Sequence, residues 1–243
     1  MKYLSKISLS ALFLVTHAAF ATEPPIGWYG GLMLGPSFVP SSEITVTNLP
    51  FFPPFFPDPF DQNTATGRVS YGVGGNIAAQ LGTRCNKFRV EGEVLYNVSP
   101  VSRIILNGLR IESNQGLTGF RFKATTTIIA GFVNGFYELY DEDYSDAQFI
   151  PYVGLGLGYA NIKNSLTIYR FHIPLTPEFG TTNAPIGQVI GGVSYLFSSN
   201  ASFGIDLRYM TTKTISRFNT RVEVASLNFL VNWAFDQPNG CSL

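Results

Sequence analysis

Ile150-Pro-Tyr-Val-Gly-Leu-Gly-Leu-Gly-Tyr-Ala-Asn-Ile162 decides the reading of this chain. Val153, Leu155, Leu157 and Tyr159 alternate with Gly154, Gly156, Gly158 and Ala160. A period of two belongs to a strand, whose successive side chains leave on opposite faces. Strands of soluble sheets usually alternate apolar with polar residues. Here one face is bulky and apolar and the other is nearly bare backbone. Such a strand suits a wall whose outer surface meets lipid and whose inner surface lines a narrow, crowded lumen.

The rest of the chain repeats this plan in eight candidate strands. They are about Gly27–Val39, Gly67–Leu81, Lys87–Val98, Phe120–Tyr137, the stretch quoted above, Gly187–Phe197, Ser202–Thr212 and Thr220–Phe235. In the second, Val69, Tyr71, Val73, Ile77 and Leu81 oppose Arg68, Ser70, Asn76 and Gln80. In the third, Phe88, Val90, Val94 and Tyr96 oppose Arg89, Glu91, Glu93 and Asn97. In the seventh, Phe203, Ile205, Leu207 and Tyr209 oppose Asp206 and Arg208. The fourth is blurred at Ile128-Ile129, and its facing stays open. Connections after the second and sixth strands are short, whereas Pro40–Thr66, Ser99–Gly119 and Lys163–Ile186 are long. Short turns at one end and long loops at the other are the habit of outer-membrane barrels. The fold class expected is all-β, an eight-stranded antiparallel transmembrane β-barrel with long extracellular loops.

Composition agrees. Only 13% of the 243 residues are charged and mean hydropathy is +0.15, yet no apolar run approaches the ~18 residues of a membrane helix. A closed barrel is the strand-built solution that satisfies every backbone group within lipid. Lys2 and Lys6, the apolar Ile7 to Ala19 and the small-x-small Ala19-Phe20-Ala21 read as a secretory signal peptide cut after Ala21. The expected domains are 1–21 as signal, 22–235 as barrel and 236–243 as a short periplasmic tail. Sixteen basic residues balance sixteen acidic ones, and the signal removes two lysines. The mature chain is then slightly acidic, which argues against nucleic acid as a partner.

Asn86–Tyr96, Phe136-Tyr-Glu-Leu-Tyr140 and Ile150–Gly158 resemble the bacterial outer-membrane surface-antigen family, porin-like eight-stranded proteins akin to the transmembrane domain of OmpA. The resemblance implies a surface-exposed barrel, often antigenic, sometimes tied to adhesion or weak pore activity. It carries no catalytic residues. The last strand, ending Trp233-Ala-Phe235, looks like the segment that barrel-assembly machinery recognises. Outer-membrane lipid and this machinery are the expected partners, with a host or envelope surface ligand as a further one.

Three groups of residues are candidates for function. Arg68, Arg89, Glu91, Glu93, Asp206 and Arg208, with Arg221 and Glu223 beside them, would face the lumen. Isolated charges there are costly, so they should pair and plug the barrel, or form a gated ion path. Leu49–Phe60 carries five prolines and the phenylalanines Phe51, Phe52, Phe55, Phe56 and Phe60. It reads as a stiff apolar contact surface, or as a local cluster over the barrel mouth. Cys85 and Cys241 share the periplasmic end, where a disulfide is allowed. Trp28, Tyr96, Tyr152, Tyr195, Trp233 and Phe235 sit near strand ends and suit an interfacial aromatic belt. No cofactor or metal is expected, because two thiols and His172 make a poor ligand set. His172 with Ser165 makes no fixed catalytic pair, so no enzyme is expected. The acidic run Glu138–Asp146 reads as a solvated turn without calcium-loop spacing.

Overall fold

The computed structural model describes residues 26–47, 64–106, 109–113, 120–139, 149–170, 173–175, 180–213 and 221–235. Its elements are β1 (Gly27–Phe38), β2 (Ser42–Thr47), β3 (Thr64–Tyr71), β4 (Gly74–Cys85), β5 (Phe88–Leu106), β6 (Leu109–Glu112), β7 (Phe120–Glu138), β8 (Phe149–Arg170), β9 (Ile173–Leu175), β10 (Thr181–Leu196), β11 (Ala201–Thr212) and β12 (Glu223–Ala234). No helix is long and apolar enough to cross a membrane. Eight strands close a ring in the order β1, β4, β5, β7, β8, β10, β11, β12, and every pairing is antiparallel. β12 returns to β1 from Tyr29↔Ala234 to Phe38↔Ala225, which removes the open edge.

The facing follows the sequence period. Val153, Leu155, Leu157 and Tyr159 are 51–77% exposed on the outer wall, as are Ile77, Val94, Val133 and Leu207. Exposed apolar surface on this scale, wrapped around a ring, is a lipid-facing belt. On β8 the belt runs from Phe149 to Tyr159, which at ordinary strand rise and tilt spans about 25 Å. The glycines opposite are required by close approach. A Cβ at Gly156 would drive into the side chains of Asn134 and Gln188, and one at Gly154 into the Phe136 ring.

β4 and β5 join through Asn86-Lys87, where Asn86 adopts φ 50°, a conformation that asparagine tolerates. This tight turn, the β10–β11 turn at 197–200 and the outer ends of β1 and β12 share one end of the ring. It is the periplasmic end by the short-turn rule.

At the other end the expected long loops are in large part strand. β5 continues to Leu106 and β8 to Arg170, while β2, β3, β6 and β9 pair alongside them. The ladders go on because these extensions are rich in Thr, Ile and Val, residues that suit a pleated surface. The expected second strand is two strands, interrupted at Gly72-Val73. Val69 is therefore not lipid-facing. It packs with Val101 and Phe122 in an apolar cluster above the barrel. Ile128 and Ile129 blur the alternation because both faces are apolar there. Ile128 is buried inside the barrel, and Ile129 is exposed outside.

Leu155 lies near the middle of the belt. Leu155→Arg should lower the unfolding free energy by about 2–4 kcal/mol in urea titrations of the barrel folded into lipid vesicles.

Candidate functional site

The lumen is filled by side chains in tiers. Nearest the periplasm, Arg84 donates to Glu138 from Nε and Nη2 at 3.1 and 2.8 Å, and Arg89 reaches the same oxygen at 3.4 Å. Arg89 also lies 3.1 Å from Glu91, which accepts a short hydrogen bond from the Tyr29 hydroxyl. The Arg89 guanidinium sits 4.3 Å from the Phe136 ring centroid and 4.7 Å from that of Tyr152. Aromatic faces on a desolvated cation add attraction that a carboxylate alone does not supply.

Deeper in the barrel, Arg208 holds Glu93 at 2.6 Å and Asp206 at 2.9 Å. Asn228 donates to Asp206 at 2.7 Å, and Asn134 to Glu93 at 2.7 Å. Gln188 completes the chain by donating to Asn134 at 2.7 Å. Tyr152 links the two clusters through a 3.4 Å hydrogen bond to Asp206. All seven charged members are 5% exposed or less. Four carboxylates face three guanidiniums among the described residues, so the plug is close to neutral and slightly acidic.

Toward the cell exterior the lumen turns apolar. Met33, Leu95, Ile128, Phe132, Ile162 and Leu230 belong to one buried cluster. Above part of it, Asn97 donates to Ser37 at 2.7 Å and Ser99 to Asn97 at 3.0 Å. A water-filled path would have to cross both the paired charges and the apolar tier.

The structure brings Arg89, Glu91, Glu93, Asp206 and Arg208 together. It separates Arg68, which is not in the lumen. Arg68 lies on β3 above the barrel, 58% exposed, and pairs with Glu43 at 3.2 Å. Glu223 and Arg221 are corrected likewise. Val224 and Ser226 take the inward positions of β12, while Arg221 is exposed and Glu223 half-buried beside Tyr209. Tyr152 leaves the expected aromatic belt for the lumen, because β8 sends its odd-numbered residues outward. Trp28, Tyr96, Trp233 and Phe235 are exposed on the wall.

Four ionisable members of the plug are missing from the sequence reading: Arg84, Glu138, Tyr29 and Tyr152. Arg84 falls in the short connection expected between Leu81 and Lys87, and Glu138 opens the acidic run that reads as a solvated turn. Parity was the available signal, since Arg84 continues the inward series Asn76, Ala78 and Gln80. Ser165 faces outward and donates to the Thr125 carbonyl at 3.3 Å, so it is tied into the wall. His172, the Phe51–Phe60 loop and most of the Glu138–Asp146 run lie outside the described residues. Cys85 is disulfide-bonded, and Cys241 lies outside the described residues. Above the barrel, Glu112 is hydrogen-bonded by Arg110, and this cation holds its carboxyl below the ordinary value.

Removing one partner of a buried pair leaves a charge uncompensated. Arg208→Met should cost about 3–5 kcal/mol in urea titrations, and adding Glu93→Gln to it should recover part of that loss.

No family model and no curated protein sequence matches this chain. Solved structures do match it. The outer membrane protein OprG from Pseudomonas aeruginosa aligns with a TM-score of 0.50 at 12% identity, over 88% of this chain and 99% of that one. Neisserial surface protein A aligns at 0.40 and 17%, over 88% and 100%. Ail, the attachment invasion locus protein of Yersinia pestis, aligns at 0.41 and 10%, over 86% and 99%. Identities this low speak to architecture alone. The chain has the eight-stranded outer-membrane β-barrel fold, the architecture that its resemblance to the surface-antigen family implies.

Proposed function

We propose that this protein is a surface protein of the bacterial outer membrane, which meets a host or envelope ligand through the strands that rise above its barrel. The observation that carries this reading is the pairing of a plugged lumen with an extended extracellular sheet. The charged tiers and the apolar tier leave the interior to structural work. The exterior sheet carries exposed ion pairs around a small apolar core. Arg68–Glu43 and Arg103–Glu112 pair across its strands, Arg110 pairs with Glu112 along β6, and Ser102 donates to the Ser70 carbonyl at 3.0 Å. Such surfaces present side chains on a rigid support, where loops alone would carry an ordering cost on contact. The phenylalanines between β2 and β3 belong to the same reading, since residues 48–63 connect two strands of this sheet.

The alternative, a small pore, makes the opposite demand on the interior. In planar bilayers the protein should show no steady channel. Sustained single-channel conductance that is lost in Arg208→Met would favour the pore. Vesicles bearing the protein should adhere to immobilised glycan or glycoprotein surfaces, and a variant lacking residues 48–63 should lose adhesion while keeping its heat-modifiable mobility on gels. Equal adhesion by both would remove the loop from the contact.

Export and the periplasmic staple complete the proposal. Cleavage after Ala21 and a bond from Cys85 to Cys241 are read together by mass spectrometry of protein from the outer-membrane fraction. The mature chain should begin at Thr22, and a non-reducing digest should contain the Cys85–Cys241 peptide.

A further inference from the structure

The wall formed by β4, β5 and β7 differs from its neighbours in the lipid-facing belt. Along β5 the outward series runs Val90, Gly92, Val94, and along β7 it runs Gly131, Val133, Gly135. The register sets Gly92 beside Leu81 and Val133, Val94 beside Ala79 and Gly131, and Val90 beside Gly135. Large and small residues therefore alternate both along the strands and across them, which leaves pits among knobs. The knobs Leu81, Val90, Val94 and Val133 are 50–66% exposed. The barrel itself does not ask for these glycines. A Cβ on Gly131 or Gly135 would meet nothing within 4 Å, and one on Gly92 only the Leu81 carbonyl at 3.9 Å. Glycine weakens a strand interior and often marks a place where another backbone comes close. On β11, by contrast, Phe203, Ile205, Leu207 and Tyr209 follow one another outward without a gap.

The extracellular sheet continues this same wall upward. β3 and β6 flank β5 above the membrane as β4 and β7 flank it within. Val69 and Ile104 pack on the inner face of that sheet, so Arg68 and Arg103 fall on its outer face. The rung Glu43, Arg68, Ile105, Arg110 crosses the outer face from β2 to β6. Its charge is lopsided. On the β5–β6 half, Arg103 and Arg110 share one carboxylate, Glu112. At the β2 edge the Glu43 side chain is 82% exposed and meets Arg68 through one oxygen. A two-fold axis normal to the membrane, set against this face, brings the acidic edge of one copy to the basic half of another, and does so twice. The same axis brings two pitted walls together below.

We propose that two copies of this protein associate side by side in the outer membrane, through the β4–β5–β7 wall and the outer face of the sheet above it. The occupant is fixed by charge complementarity. A two-fold partner offers a basic half to the acidic edge and an acidic edge to the basic half, whereas a ligand of one charge sign matches only one of them. Within lipid, two walls gain little from hiding apolar surface, and close packing holds them instead. Valine and leucine knobs of one copy entering glycine pits of the other supply that packing. The pairing depends on the membrane placement of the barrel and not on the surface-contact reading, so either can fail alone.

The test is sedimentation equilibrium of the folded full-length protein in density-matched neutral detergent, with chemical crosslinking in lipid vesicles as a second reading. Wild type should sediment as two chains, and its association should weaken as salt rises. Gly92→Leu and Gly131→Leu fill pits that face lipid in the single barrel. Each should keep its heat-modifiable mobility on gels and raise the dimer dissociation constant by roughly 10-fold or more. If one of them fails to fold, the other carries the reading. Glu43→Gln and Arg110→Gln should each raise the constant by roughly 10-fold. Gly191→Leu on β10 fills an equally open position, below the uncharged Ile173-Pro174-Leu175 of β9, and should associate as wild type does. A single chain at every concentration in detergent and in vesicles would overturn the proposal. So would dimers undiminished by the wall variants or by the charge variants, or an equal loss in Gly191→Leu.

Discussion

A peptide group inside hydrocarbon has no water to turn to, and this constraint dictates the rest of the molecule. Each strand must find two neighbours, so the sheet must close. Eight strands suffice because β12 meets β1 along nearly its whole length. Closure then fixes the two surfaces. One set of side chains is committed to lipid, and the other is forced into a lumen too narrow for all of them to be large. Gly31, Gly154 and Gly156 answer that crowding, for a Cβ at any of them would strike a neighbouring polar or aromatic side chain.

The narrow interior also explains why charges are tolerated there. Arg89 and Arg208 are buried among carboxylates, amides and rings that hold them from several sides. Each guanidinium reaches side chains of more than one strand, so the plug crosses the ring from within. The hydrogen-bonded wall and the ionic filling thus reinforce the same cross-section. The interior is apolar further out, where the wall rises into the extracellular sheet and Val69, Val101 and Phe122 form a second small core.

Much of this was readable from alternation. Val153, Leu155, Phe203 and Leu207 face lipid, and Arg89 and Asp206 face the axis, because period two permits no other assignment once one face is apolar. The reading failed where its premise failed. Ile128 is apolar and inward because that tier of the lumen is apolar. Arg68 and Val69 sit above the ring, where inside and outside lose their barrel meaning. Strands that continue past the membrane do not read as barrel wall because polar and charged residues break the apolar period there, at Ser102 and Arg103 in β5 and at Lys163, Asn164 and Ser165 in β8. Glu138 was hidden by the acidic run that follows it. Its own position at the end of β7, opposite Tyr152 and near Arg84, is a matter of register that single-strand patterns do not contain.

The seam between β1 and β12 has a consequence for how the molecule comes into being. The two partners stand at opposite ends of the sequence, so the ring cannot shut until the final strand has been synthesised and delivered. Every earlier intermediate exposes at least two unpaired margins and a greasy flank. Contacts of such long sequence separation form slowly. Until the twelve residues of β12 pair with β1, the sheet stays open and its apolar flank is free to stick to other copies.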